Sequence, residues 1–173
     1  MANVSKKRIC LRVVLTLACI GVLLFIFSNS WAPASVSASS SSKVTDTVQS
    51  VFKFLAPNSF IATAVGEDYK KLMAWIRNFA HFAEFALMGA LFVWCYFSYS
   101  SRWKGLYIPL IGIVCVPFID EFIQLFASGR AWELMDVVVD TLGGFTGALF
   151  AVGVVAFIIW RIKARKKKKG AEV

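Results

Sequence analysis

An all-α, polytopic membrane helical bundle is the fold class this sequence predicts, with about four transmembrane helices and one or two short interfacial amphipathic helices. Three observations predict it. The chain is 58% apolar and only 17% charged over its 173 residues, with a mean hydropathy of +0.69; a soluble domain is about half apolar and about a quarter charged. Four apolar stretches each approach the ~20 residues that a bilayer core requires. Basic residues fall at alternate ends of those stretches, as topology signals do.

The elements follow in order. Residues 1–8 are a basic tail, and residues 9–28 a first transmembrane helix. Lys6, Lys7, Arg8 and Arg12 precede a run from Val13 to Phe27 that is apolar apart from Thr16. A signal peptide shares this shape, with small-residue steps near residues 32–38 as cleavage sites. The run from Ile9 is long enough to span, and a retained helix is the reading adopted.

Residues 29–77 read as an extracytoplasmic Ser-rich loop with amphipathic helices. Ser28 to Ser42 is rich in Ser, Ala and Pro and is expected to be a flexible loop. Val44, Val48, Val51, Phe52 and Leu55 recur at helical spacing, with Asp46 and Gln49 as a capping pair and Pro57-Asn58 as the stop. A helix of that kind lies in the membrane interface or across the bundle mouth. A second amphipathic stretch, Asp68 to Phe79, carries Leu72, Trp75 and Ile76 on one face and runs into the next span. Further spans are expected at 78–98, 105–126 and 136–160, and a basic tail at 161–173.

Four spans put the N-terminus, the Arg102–Lys104 loop and the basic tail on one side, which the positive-inside rule makes the cytoplasm. Both termini are then cytoplasmic, and the Ser-rich segment and the Gly129-Arg130 loop face outward. The net charge of +9 resides mostly in the termini. It reads as a lipid-surface and topology anchor; nothing else in the chain supports nucleic-acid binding. Cys10, Cys19, Cys95 and Cys115 lack metal or disulfide spacing and read as small packing residues.

This topology gathers the unusual polar residues in one layer. His81, the only histidine, and Glu84 sit in the first turns of the second span; Asp120, Glu121 and Gln124 end the third; Asp136 and Asp140 open the fourth. At 100° per residue Arg77, His81, Glu84 and Met88 share a face, as do Asp136, Asp140, Gly143 and Gly147. Polar stripes at membrane depth turn inward. Gly143, Gly147 and Gly89 would let helices approach closely, and Pro117 would free a carbonyl and bend the third span near the layer.

These residues also resemble a known family. Arg77-Asn-Phe-Ala-His81-Phe-Ala-Glu84-Phe85 is similar to the basic-x-x-Ala-His-Phe-x-Glu-Tyr signature of VanZ-like membrane proteins, followed by Met88-Gly89 where they have Leu-Gly. Asp120-Glu121-Phe-Ile-Gln124-Leu-Phe, then Gly129-Arg130, resembles the second motif, and Asp136-Val-Val-Val-Asp140-Thr-Leu-Gly143-Gly144 the third. Phe25-Ile-Phe-Ser28-Asn-Ser30 resembles the end of that family's first span, so the likeness covers about residues 20–155. Phe85 stands where Tyr is usual, Ala127-Ser128 where a proline is frequent, and Asp140 where Asn is common. The resemblance implies a multi-pass protein of the bacterial cell membrane. It implies the context of the cell envelope and of resistance to teicoplanin, a lipid-tailed glycopeptide, but no reaction.

Three functional classes fit. The first is an envelope protein that binds a lipoglycopeptide or a lipid-linked wall precursor in the outer leaflet through Arg77, His81, Glu84, Asp120, Glu121, Gln124, Arg130, Asp136 and Asp140. The second is a membrane-embedded enzyme on such a lipid, with His81, Glu84, Asp120, Glu121 and Asp136 as candidates for acid–base work. A divalent cation is a candidate cofactor for it, held by Glu84, Glu121 and Asp136; one histidine and no nearby thiolate argue against zinc. The third is an interhelical salt-bridge network that only holds the bundle. The acidic surplus over Arg77 and Arg130 favours a bound cation, a protonated carboxyl or a cationic ligand over a closed network. Oligomeric state is not legible in the sequence.

Overall fold

The computed structural model describes residues 6–170; expectations placed on residues 1–5 and 171–173 lie outside the described residues. Six α-helices follow one another: α1 Lys6–Ser30, α2 Ala34–Leu55, α3 Phe60–Thr63, α4 Glu67–Tyr99, α5 Tyr107–Gln124 and α6 Leu134–Gly170, with a 3-10 turn at Trp103–Leu106 leading into α5. Four of them, α1, α4, α5 with its lead-in, and α6, are long and apolar enough to cross a membrane. Their outward surface is apolar, as at Leu24, Phe118 and Leu149, which fits a lipid solvent.

The pairing of α4 with α6 is the most extensive in the fold. Backbones touch there. A Cβ added at Gly89 would strike the Gly144 carbonyl, one at Gly143 the Phe82 carbonyl, and one at Gly147 the Ala86 carbonyl. Small residues let membrane helices associate by direct van der Waals contact where no hydrophobic force is available. Around this seam Ile26 of α1, Phe85, Met88 and Val93 of α4, Ile113 of α5 and Ala151 of α6 form the buried core.

The Ser-rich stretch departs from its expected loop. After Pro33, α2 begins at Ala34 and runs unbroken through the serines to Leu55. Proline cannot continue α1, but its fixed φ suits a helix entry. The hydroxyls then find acceptors on the helix itself: Ser42 Oγ donates to the Ser39 carbonyl at 2.9 Å and Thr45 Oγ1 to the Ser41 carbonyl at 2.8 Å. Asp46 therefore lies mid-helix and is not a cap. Its carboxylate accepts from the Tyr69 hydroxyl at 2.7 Å, while the Gln49 amide donates to the Ala64 carbonyl at 2.8 Å. The two residues read as a capping pair are tethers between α2 and the chain that follows. The start of α2 is tied too, the Ala34 N–H donating to the Ser128 carbonyl at 3.0 Å. The amphipathic stretch from Asp68 merges with the next span into one helix, α4, and α6 continues without a break into the basic residues.

Candidate functional site

The polar residues gather at the end of the bundle where α1 stops and α6 starts. Asp120, Glu121 and Gln124 lie on the last turns of α5 with relative exposures of 1%, 1% and 3%. Buried polar atoms require partners, and most of these have them. Asp120 accepts from the Ser30 hydroxyl at the end of α1 and, at 3.1 Å, from the Gln124 amide. The Gln124 carbonyl oxygen accepts from Arg130 Nη1 at 2.7 Å. A relay thus joins α1, α5 and the turn before α6. Gly129 shapes that turn with φ +77°, a left-handed backbone that glycine adopts without strain.

Glu121 has a separate task. One of its carboxylate oxygens accepts the Glu133 N–H at 2.5 Å, immediately before α6 begins. The first amides of a helix have no partner within it, and a negative charge there also meets the positive end of the helix dipole. Asp136, on the first turn of α6, pairs with Arg77 of α4 at 3.3 Å. Asp140, one turn on, is 2% exposed, and its Oδ1 is buried with no hydrogen-bond partner. Within the described residues the network is therefore incomplete at Asp140.

Above this cluster lie two cavities. One, of about 470 Å³, reaches from α2 to Gln124, Glu133 and Asp136. The other, of about 370 Å³, lies between α1, α2 and α4 and is lined by Phe25, Val36, Val44 and Ile76 as well as by Asn29, His81 and Glu84. The first is the more polar, its wall divided about equally between polar and apolar surface, and the second is largely apolar. Arg77 and Arg130 line both. Burial pushes the Arg130 guanidinium down from its ordinary value, and the neighbouring Arg77 charge adds to that.

The structure thus divides the nine residues singled out in the sequence. Arg77, His81, Glu84, Gln124, Arg130 and Asp136 reach a cavity; Asp120, Glu121 and Asp140 are beneath the surface and line neither. Glu84, Glu121 and Asp136 do not converge as a ligand set: among the described residues no three His, Cys, Asp or Glu side chains form a group that could hold a metal ion. Sequence reasoning missed Asn29 and Glu133, the partner role of Ser30, and Ser37 and Ser41 of α2. Asn29-Ser30 carried a signal, since polar residues closing an apolar run at membrane depth need partners. The α2 serines carried none once their stretch was read as a loop.

A four-helix multi-pass membrane protein with a buried polar cluster beneath two adjoining cavities is the class that fold and site define. The chain belongs to the VanZ/LLP1 family, whose family model matches residues 13–160. No curated protein and no solved structure matches it significantly.

Proposed function

We propose that this is a bacterial envelope protein that binds the polar head of a lipid-tailed molecule in the outer leaflet, either a lipoglycopeptide such as teicoplanin or a lipid-linked wall component. The observation that carries the reading is the pairing of the two cavities. An apolar chamber beside α1 and α4 adjoins a polar one beside the α5–α6 turn, and Arg77 and Arg130 border both. An amphiphile needs that combination: apolar lining for its chain, and a few placed polar groups for orientation. Family membership supplies the envelope context. The basic segments support an orientation with both termini cytoplasmic and the cavities outward.

Two experiments test this. Tags at Ser40 and within 129–132 are expected to be reached from outside intact cells, and a tag after Lys169 is not; the reverse pattern moves the cavities to the inner leaflet and ends the proposal. Cells expressing the chain are expected to resist a lipid-tailed glycopeptide more than its tail-less counterpart, and Glu84→Gln and His81→Gln to lower that resistance at unchanged protein level. Unaltered resistance in both variants would remove the site. A purely structural network is the second reading, favoured by the relay from Ser30 through Asp120 and Gln124 to Arg130. It requires every phenotype to follow protein level.

A further inference from the structure

We propose that Arg77 and Arg130, with Ser37 and Ser41 of α2, form a clamp for a phosphate group, so that the amphiphile seated here is a phosphorylated lipid. The lipid half of this statement rests on the reading above; the clamp itself does not.

The two cavities share four residues, and they are these: Ser37, Ser41, Arg77 and Arg130. Two guanidiniums and two hydroxyls are the donor set a phosphate takes. Arginine offers a planar fork that matches phosphate oxygens two at a time, and it keeps its charge when partly buried. Ser37 and Ser41 stand four residues apart on α2 and so present one face. Among the described residues neither hydroxyl has a hydrogen-bond partner, and Arg130 forms no ion pair; its bonded partner, Gln124, is a neutral amide. Arg77 holds Asp136 through one nitrogen at 3.3 Å and is 41% exposed, which leaves the rest of its fork available.

No carboxylate lines both cavities, and only Asp136 touches a junction residue, through its single contact with Arg77. Asp120, Glu121 and Asp140 are 1–2% exposed and line neither cavity, while Glu84 borders only the apolar chamber and Glu133 and Asp136 only the polar one. Burial and the neighbouring Arg77 oppose the charge on Arg130, and Asp120, Glu121 and Asp136 offset this only in part, so a phosphate reaching both guanidiniums would add to that compensation. A phosphate at the junction would put its chain towards Phe25 and Val44 and whatever it carries beyond towards Gln124.

The test uses the full chain in a phosphate-free maltoside detergent with three probes: a polyprenyl phosphate, the matching polyprenol, and inorganic pyrophosphate. The phosphorylated lipid is expected to bind at least tenfold tighter than the polyprenol. Arg77→Gln and Arg130→Gln are each expected to erase that preference, Arg130→Lys to restore part of it, and Lys104→Gln to leave it intact. Equal binding of polyprenol and polyprenyl phosphate overturns the clamp and leaves the lipid-tail reading standing. Pyrophosphate bound as tightly as the lipid, with the same arginine dependence, upholds the clamp with a free anion as its ligand and ends the lipid reading. Should the arginine variants fail to fold, the comparison of the three probes on the parent protein decides alone. A phosphate preference that survives both well-folded glutamine variants overturns the assignment to these residues.

Discussion

The α4–α6 seam and the α2 cover are both built from small residues, yet they do opposite things. At the seam, Gly89, Gly143 and Gly147 remove side chains so that two backbones touch and no space remains. In α2, Ser37, Ala38 and Ser41 face α4 and the α5–α6 turn across open cavity. The seam runs along two long helices, so contact is maintained turn after turn. The cover is a separate helix fixed at a few points: Ala34 to Ser128, Asp46 to Tyr69 and Gln49 to Ala64. A small residue closes a gap only where both neighbouring backbones can follow it in. Where tethers hold the helices apart, the same residue leaves room.

Substitutions can break or sharpen that contrast. The largest effect is expected at the seam. Gly147→Leu drives a side chain into the Ala86 carbonyl and is expected to cost more than about 3 kcal/mol, read as loss of folded protein in detergent melting. A parent-like melt would show that the seam can open. Next comes the polar cluster. Asp120→Ala strands the Gln124 amide and leaves the Ser30 hydroxyl only the Ile26 carbonyl; it is expected to cost about 1–3 kcal/mol, while Asp120→Asn, which keeps an acceptor, should melt nearer the parent. Equal melts for the two would mean that the relay adds nothing to stability. On the cover, Gln49→Ala releases one tether, worth about 1 kcal/mol. Faster labelling of a cysteine placed at Ser41, with global melting almost unmoved, is the pattern that local release produces. The smallest change belongs to Gly153→Leu. Nothing lies within 4 Å of a Cβ there, so stability should stay within about 0.5 kcal/mol.

The spans were legible because apolar runs of membrane length leave little alternative. The inward faces were legible because one helical turn places Arg77 with His81 and Asp136 with Asp140. The glycines beside Asp140 pointed to the close approach of some neighbouring helix, and the Phe82 and Ala86 carbonyls show that helix to be α4. What escaped was the first half of α2, since the helix expected from Val44 to Leu55 is its second half. Serine competes for its own backbone, so a run of serines carries no hydrophobic period and reads as loop. Its helix is recognisable only with the rest of the bundle beneath it. That one misreading hid the roof of both cavities, and with it the junction residues Ser37 and Ser41. The expectation of a convergent carboxylate set failed for a related reason. Helical phase says which side a residue faces but not how deep it sits, and Glu121 turned to the amide of Glu133 instead of to Glu84.

The length of α4 has a consequence for access. Its 33 residues exceed the ~20 a bilayer needs by about 13, or ~20 Å at 1.5 Å per residue. Glu67, Asp68, Lys70 and Lys71 mark the end where the surplus falls. The stretch bordering the cavities, Met73 to Glu84, therefore straddles the boundary between water and hydrocarbon. Under the proposed reading, a lipid-tailed molecule would enter sideways from the lipid while its largest, most hydrated portion stayed in solvent. On that reading the threshold for loading would be the parting of α2 from α4, and not the cost of drawing a bulky polar body into oil.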